Sequence, residues 1–176
     1  DHTFLSSDTK QYDMLVGIVS DTHDNEDQVV AAVETFEDAG VETVVHCGDF
    51  VAPFSVTPFA GDWEFYAVRG NNDGEWAIEA TVEEFGTYMG EMGELTLDGQ
   101  EIAVYHGTSG AIVDALVECG TYDYVFNGHT HEAGSEEYEG TVRVNPGGVS
   151  IPPAPSEFSV TTLDNESGEL AFHEPA

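Results

Sequence analysis

The chain has 176 residues, 40% of them hydrophobic, and its 35 aspartates and glutamates face only three lysines and arginines, which gives a net charge of −32 at pH 7. This length suits one domain with a sizeable core, and the apolar content argues against disorder. So few cations cannot build the basic stripe of a nucleic-acid-binding protein, and they disfavour an anionic membrane surface too.

The acidic residues occur inside ordinary helix and strand patterns, as in ATVEEFG, rather than in one tail. Their mutual repulsion destabilises a compact state in dilute buffer, whereas in molar salt the Debye length falls to about 3 Å. We therefore interpret the protein as halophilic. The alternative is a moderately acidic mesophilic protein that binds a basic partner.

Cellular location is predicted from the cysteines and the hydropathy pattern. Cys47 and Cys119 lie in apolar settings, which indicates core residues of a reducing compartment rather than a disulfide framework. No apolar run approaches the ~20 residues of a membrane span, and no signal-peptide pattern is present. These features predict a cytoplasmic protein.

Residues 1–13 have no periodic pattern, so we expect a disordered leader or a cloning remnant there, followed by a single domain over residues 14–176. The runs MLVGIVS, ETVVHCGD and EFYAVRG are predicted buried strands. A helix follows the first strand and ends at Gly40. Its predicted apolar face comprises Val29, Val30, Val33 and Phe36.

The second half of the chain has two more strand patterns, QEIAVYHG and YDYVFNGH, with a helix between them. The predicted buried face of that helix comprises Ile112, Ala115, Leu116 and Cys119. ELTLDGQEIAVYH, EEYEGTVRVN and FSVTTLDNESGELAFHE read as strand–turn–strand, so hairpins are expected. The pattern predicts an α/β protein with a βαβ start and terminal β-hairpins.

A side chain that can bind a metal ion follows each of five predicted strands. In chain order these residues are Asp21 and His23, Asp49, Asn71, His106, and His129 with His131. In open α/β sheets, ligands bind at the carboxyl ends of the strands. Residues i and i+2 of an extended segment lie roughly 7 Å apart on one face, so the Asp21/His23 and His129/His131 pairs could each span two ions. Mixed carboxylate, amide and imidazole ligation favours Mn, Fe, Ni or Zn over Ca or Mg.

The ordered motifs DTH, GD, GNND, HG and GHTH resemble the signature of the calcineurin-like metallophosphoesterases, and most of all their small, single-domain prokaryotic phosphodiesterase branch. NPGG at residues 145–148 is similar to the NPGS that ends the core of that branch. The resemblance runs from Met14 to about Ile151. It implies a four-layer α/β/β/α sandwich of two mixed β-sheets flanked by helices, and a small phosphate ester as the substrate.

The same resemblance implies a centre of two divalent metal ions, with Mn²⁺ expected first and Fe, Ni or Zn as alternatives. One ion would be held by Asp21, His23, Asp49 and His131. The other would be held by Asp49, Asn71, His106 and His129, with Asp49 bridging. A metal-bridging hydroxide would attack phosphorus in line. The residues expected to be catalytic are Asp49, Asn71, Asn72 and His106.

Several neighbouring residues have two readings. Asn72 stands where many family members have a histidine thought to protonate the leaving group, and an amide cannot do so at neutral pH. This disfavours esters with poor leaving groups, and it favours diesters or an acid that acts through water. Arg69 could contact substrate phosphate. His46 is expected to be a hydrogen-bonded core histidine. Asp73 reads either as a turn residue or as a partner that orients a ligand histidine.

The leading hypothesis is a metal-dependent phosphoesterase, specifically a phosphodiesterase. The alternative is a non-catalytic scaffold of the same fold that binds other proteins, although seven intact candidate ligands argue against it. A DNA nuclease of the same superfamily is excluded by the charge. The sequence leaves a homo-oligomer open.

Overall fold

The computed structural model describes residues 14–74, 76–150 and 157–175. The expected leader at residues 1–13 lies outside the described residues. Across the described ranges, every helix is too short or too polar to cross a membrane.

Eleven strands and three α-helices are present in the described part of the chain. The strands are β1 (Leu15–Val19), β2 (Thr43–His46), β3 (Glu64–Ala67), β4 (Thr87–Tyr88), β5 (Met92–Leu97), β6 (Gln100–Tyr105), β7 (Tyr124–Phe126), β8 (Gly134–Tyr138), β9 (Thr141–Asn145), β10 (Val160–Asp164) and β11 (Leu170–His173). The helices are α1 (Glu26–Ala39), α2 (Ala77–Val82) and α3 (Gly110–Glu118). Two short 3₁₀ turns, Pro53–Ser55 and Thr57–Phe59, follow β2.

The first sheet has the strand order β11-β10-β1-β2-β3-β4. Strands β1 to β4 run parallel, β10 pairs antiparallel with β1, and β11 pairs antiparallel with β10. Helix α1 covers one face of this sheet through Phe36. A Cβ at Gly17 would lie 2.8 Å from the Phe36 ring, so the helix sits this close to β1 only because residue 17 is glycine.

The second sheet has the order β5-β6-β7-β9-β8, with β6, β7 and β9 parallel and the two outer strands antiparallel. Its inner face packs against the first sheet, where Ile18 and Val45 meet Val104 and Phe126 in one buried cluster. Helix α3 contacts β7 and β9. The order of layers is helix, sheet, sheet, helix, which confirms the predicted four-layer sandwich.

All three expected hairpins form. Strands β5 and β6 turn through Asp98 and Gly99 with φ values of 48° and 78°, and β8 and β9 turn through Glu139 and Gly140 at 45° and 91°. Positive φ at both central residues matches the right-handed twist of the paired strands. The β10–β11 hairpin is also present.

The predicted helix faces are partly wrong. In α1, Val30 is 48% exposed and Ala32 takes its place in the core. In α3, Ile112 is 46% exposed, Ala115 is exposed too, and Val113 is buried instead. Adjacent stripes of an apolar helix satisfy the same spacing rule, so the pattern cannot choose between them; the docking angle on the sheet does. Cys119 caps the end of α3 and is exposed, contrary to prediction, whereas Cys47 is buried.

Candidate metal centre

The seven side chains predicted at strand ends gather at one place. Strands β1, β2 and β3 of the first sheet and β6 and β7 of the second all present their carboxyl ends there, because the sheets pack face to face with these ends on the same side. The loops that follow these strands carry the candidate ligands. The edge rule for parallel strands therefore holds across two sheets at once.

One group of ligand atoms surrounds Asp21. Its Oδ1 lies 3.4 Å from His131 Nε2 and 3.7 Å from His23 Nε2. All three ligand atoms lie within 4.8 Å of one another, a spacing compatible with a shared metal ion. These are three of the four residues expected to hold the first ion.

A second group lies next to the first, and both Asp21 and Asp49 border it, since Asp21, Asp49 and His106 have ligand atoms within 4.8 Å of one another and Asp21 Oδ1 lies 3.8 Å from His106 Nε2. Asp49 Oδ2 lies 3.2 Å from His23 Nε2 and 3.4 Å from His106 Nε2. Asn71 Oδ1 lies 3.0 Å from His106 Nε2 and 3.1 Å from His129 Nδ1. Asp49 thus stands between the two groups, where a bridging ligand would have to be.

The loops that carry these residues are tightly turned rather than extended. Asp21, His23, Asp49, His129 and His131 all have φ between 43° and 71°, the left-handed region that side chains other than glycine adopt rarely. The i, i+2 argument was therefore wrong for Asp21 and His23, whose ligand atoms are 3.7 Å apart. His129 and His131 do diverge, one toward Asn71 and the other toward Asp21. This backbone strain costs about 1–3 kcal/mol per residue and persists only where the surrounding contacts hold the residue in that conformation.

Glycines allow the loops to meet. A Cβ at Gly148 would lie 2.6 Å from Asp21 Cβ and 2.7 Å from His131 Nδ1. A Cβ at Gly128 would overlap the Ser20 hydroxyl and the Asp21 carboxylate. Any side chain at either position would push ligands apart.

Backbone carbonyls fix the orientation of two histidines. His106 Nδ1 donates to Cys47 O and His131 Nδ1 donates to Val149 O, both at 2.7 Å. With Nδ1 carrying the proton, the Nε2 lone pair of each neutral ring faces the carboxylates. This is the arrangement in which an imidazole ligates a metal.

Other residues hold the loops in place. Asn145, the first residue of NPGG, donates to Gly128 O at 3.3 Å and Thr130 Oγ1 at 3.0 Å, and its own Oδ1 accepts from Gly147 N. The sequence reasoning gave Asn145 no role; an asparagine before Pro-Gly-Gly at a strand end was the available signal. It ties the GHTH loop to the end of β9.

Of the four residues near the motifs that were open to interpretation, the structure bears on His46, Asp73 and Arg69 as follows. His46 is buried, stacks on Phe50 at 3.6 Å, and bonds to Thr22 and Gly48 N, as expected of a core histidine; burial lowers its pKa to about 3. Asp73 accepts hydrogen bonds from backbone N–H groups and, among the described residues, bonds to no histidine. Arg69 pairs with Glu91 at 2.9 Å, and its contact with substrate stays a prediction.

The carboxylates and histidines of this cluster shift one another's pKa values. Burial alone would raise the pKa values of Asp21 and Asp49, but the facing histidines outweigh it and lower both, so the carboxylates are ionised. Conversely, contacts with Asp21 and Asp49 raise the pKa of His23 to about 9. His131 and His106 also have raised pKa values, the latter against the effect of burial. The two carboxylates therefore favour positive charge on the groups that face them.

The residues present fit divalent metals. Asp21 Oδ1 and His23 Nε2 are buried and lack a hydrogen-bond partner among the described residues, although both face oppositely charged or polar ligand atoms. Buried polar atoms are normally satisfied, so unsatisfied ones that converge on one point indicate a ligand. Carboxylate, imidazole and amide donors together suit a first-row transition ion.

Comparison with known proteins agrees with this geometry. Residues 14–168 match the family model described as the calcineurin-like phosphoesterase superfamily domain. A phosphodiesterase of Methanocaldococcus jannaschii is 36% identical over 141 residues, which cover 76% of this chain and 83% of the relative. The solved structure of an archaeal phosphodiesterase superimposes with a TM-score of 0.83 at 32% identity, covering 91% of this chain and 99% of the other.

A more distant likeness concerns the fold alone. The structure of Vps29 of Entamoeba histolytica, complexed with Zn²⁺, has a TM-score of 0.64 at 16% identity and covers 91% of this chain and 97% of the other. The match of the family model over most of the sequence, together with the archaeal relative, is decisive. The chain belongs to the calcineurin-like phosphoesterase superfamily.

Proposed function

We propose that this protein is a metal-dependent phosphodiesterase that hydrolyses a small phosphate ester at the cluster around Asp21 and Asp49. The observation that carries the proposal is the position of Asp49 Oδ2, 3.2 Å from His23 Nε2 in one ligand group and 3.4 Å from His106 Nε2 in the other. The phosphodiesterases among the similar proteins support a diester substrate.

Two metal ions are part of the proposal. Asp21, His23 and His131 would hold one, Asn71, His106 and His129 the other, and Asp49 both. Once bound, two divalent ions in such a site supply an activated water nucleophile and stabilise charge on the phosphoryl oxygens. Mn²⁺ is the expected ion, with Fe, Ni or Zn as alternatives, because the ligands are of mixed type. The ions would also give this acidic chain a local positive field for an anionic substrate.

The chain's own contribution is orientation. The bonds from His106 and His131 to carbonyls of Cys47 and Val149 keep both Nε2 atoms aimed at the carboxylates. Asn71 and Asn72 are the exposed members of the site, so the substrate would approach from their side. Neither amide carries a titratable proton, which favours diesters with leaving groups that need little protonation.

A direct test uses protein purified in molar KCl, stripped of metal by a chelator and reloaded with Mn²⁺. We expect two ions per chain, and faster hydrolysis of bis-p-nitrophenyl phosphate than of p-nitrophenyl phosphate. Asp49→Asn should lose both ions and the activity, while Asp62→Asn, which removes the same charge from an exposed position, should lose neither. Absence of bound metal together with absence of Mn²⁺-stimulated turnover would refute the proposal.

The alternative of a non-catalytic scaffold predicts a different outcome of the same experiment. Because a non-catalytic protein could keep these ligands and bind ions too, metal binding alone does not separate the two functions. Turnover does. A protein that binds two ions at these residues yet hydrolyses no ester would be better described as a scaffold.

The proposed setting follows from composition. We propose a single domain over residues 14–176 that works in a salt-rich cytoplasm and does not bind nucleic acid. The net charge of −32 supports the salt requirement, and three cationic side chains leave no basic surface for nucleic acid.

A further inference from the structure

We infer that Asn72 and Asp73 are positioning residues for Asp49: Asn72 holds its carboxylate and Asp73 holds its backbone. Asn72 thus acts on Asp49 rather than on the leaving group of the substrate. The kinetic part of this inference rests on the proposed function. The part that concerns metal affinity rests on geometry alone.

Asn72 binds both oxygens of one carboxylate. Its backbone N–H donates to Asp49 Oδ1 at 2.9 Å, and its side-chain amide donates to Asp49 Oδ2 at 2.8 Å. Two bonds from one residue fix the rotation of the carboxylate about its side chain. Because Oδ2 is the oxygen that faces His23 and His106, Asn72 sets the direction of the atom that joins the two ligand groups.

Asp73 binds the backbone from which that carboxylate projects. Its Oδ2 accepts the N–H groups of Asp49 at 2.9 Å and Gly70 at 2.8 Å, and its Oδ1 accepts the N–H of Val51 at 2.8 Å. The residue is only 5% exposed, and burial raises the pKa of its carboxyl, whereas the three backbone N–H groups favour the ionised form. Hydrogen bonds to an ionised acceptor are about twice as strong as neutral ones.

The segment that Asp73 holds is strained and needs such support. Asp49 has φ of 63°, and Val51 has φ of 83°, which is exceptional for a β-branched residue. The carbonyls of this segment are also engaged, since Asp49 O accepts from His23 N at 3.1 Å and Phe50 O from Asp24 N at 3.0 Å. The β2 loop is thus bound to the β1 loop on one side and to Asp73 on the other.

An amide at position 73 could not replace the carboxylate. Asparagine has one acceptor oxygen, and its NH₂ group would meet a backbone N–H where the second carboxylate oxygen now stands. Asp73→Asn should therefore release part of the Asp49 loop while changing side-chain volume very little.

The two possible roles of Asn72 make opposite kinetic predictions. A residue that acts on the leaving group matters more as the leaving group becomes poorer, and it leaves metal affinity unchanged. A residue that aims Asp49 changes metal affinity, and it lowers the rates for good and poor leaving groups by the same factor.

The first experiment compares wild type with Asn72→Ala. We expect the affinity for Mn²⁺, measured by calorimetric titration of the metal-free protein, to fall by about 10–100-fold in the variant. This is the usual effect of losing a hydrogen-bond partner of a metal ligand. Aryl phosphodiesters of graded leaving-group pKa should all slow by one common factor at saturating Mn²⁺. Unchanged Mn²⁺ affinity, or a rate loss that grows with leaving-group pKa, would overturn the inference.

The second experiment compares Asp73→Asn with Asp62→Asn, because both remove one negative charge from a very acidic chain. We expect Asp73→Asn to weaken Mn²⁺ binding and to lower the urea midpoint of the metal-free protein, and the control to do neither. Equal Mn²⁺ affinity in the two variants would refute the role of Asp73. Should Asp73→Asn not fold, Asn72→Ala still decides. Wild-type protein that binds no Mn²⁺ would defeat the proposed function, whereas binding unaffected by either substitution would defeat only this inference.

Discussion

Gly148→Ala tests whether Asp21 and His131 hold the same metal ion. The added Cβ would lie 2.6 Å from Asp21 Cβ and 2.7 Å from His131 Nδ1, whereas ordinary van der Waals contacts are 3.4–4 Å. The φ of Gly148 is not among the positive values, so the conflict is one of space rather than of backbone conformation. Both neighbours must move by roughly 1 Å to restore normal contact distances.

The size of the effect can be worked out from that displacement. Forcing one extra methyl group into a packed site costs about 1–3 kcal/mol, which lowers Tm by roughly 2–12 °C in a chain of this length. A shift of ~1 Å in catalytic geometry can reduce the rate by about 10²-fold. Both displaced residues are proposed ligands of the first ion, so binding of that ion should weaken by about 10–100-fold, while binding of the other ion, near Asn71, is affected less.

Calorimetric titration of the metal-free variant with Mn²⁺ would show this as one tight site and one weakened site. Gly134→Ala is the matched control, since a Cβ there meets nothing within 4 Å. If Gly148→Ala binds two ions as tightly as wild type and melts at the same temperature, the close approach of the loop has no role in the centre. If both sites weaken equally, the division into two ligand groups is wrong.

Four further outcomes are expected. Burial lowers the pKa of His46 from 6.5 to about 3, so below pH 6.5 the unfolded chain binds a proton that the folded protein does not. The free energy of unfolding should therefore fall as the pH falls, by up to about 1.4 kcal/mol per pH unit. In urea unfolding of His46→Gln, the free energy of unfolding should depend less steeply on pH than in wild type. A maleimide, detected by mass spectrometry, should label Cys119 in the native protein and Cys47 only after denaturation, because Cys47 is buried and burial also raises the pKa of its thiol. Labelling of both cysteines in the native protein would contradict the fold. Free Mn²⁺ at about 100 times Kd should stabilise the protein against urea by about 2.7 kcal/mol for each of the two proposed ions, and Asp49→Asn should remove this gain. The urea midpoint should rise between dilute buffer and molar KCl, and a midpoint independent of salt would refute the halophilic interpretation.

The arrangement of the strands and the composition of the site could be predicted because both follow local rules. Short apolar runs mark buried strands, and polar residues directly after them must lie at the carboxyl edge of a sheet. This was enough to select Asp21, Asp49 and His106, although they lie up to 85 positions apart in the chain and in two different sheets. This prediction needed only the order of the strands and helices along the chain.

The helix faces could not be predicted in the same way. Half-buried Leu116 lies on the predicted stripe of α3 and also at i+3 from buried Val113, so the error at Ile112 arose from a choice between neighbouring stripes. That choice depends on the angle at which α3 crosses β7 and β9, which is a property of the packed sheet and not of the helix sequence.

The geometry of the centre was hidden for a different reason: its supports are backbone atoms. Asp73 binds three N–H groups, and His106 and His131 bind carbonyls, so the identities of the partner residues carry no trace of these bonds. Extended loops would have separated Asp21 from His23 by roughly 7 Å, and the left-handed turns bring their ligand atoms to 3.7 Å.

Those turns also explain why glycine accompanies the histidines in GHTH. Residues 129 and 131 bend back through positive φ, which carries the loop toward Ser20 and Asp21. A Cβ at Gly128 would block that approach, so the glycine is required for its lack of a side chain. The two histidines can then face opposite ligand groups from a single short loop. The motif therefore specifies backbone shape as well as ligand chemistry, and only the ligand chemistry can be predicted from the residue types.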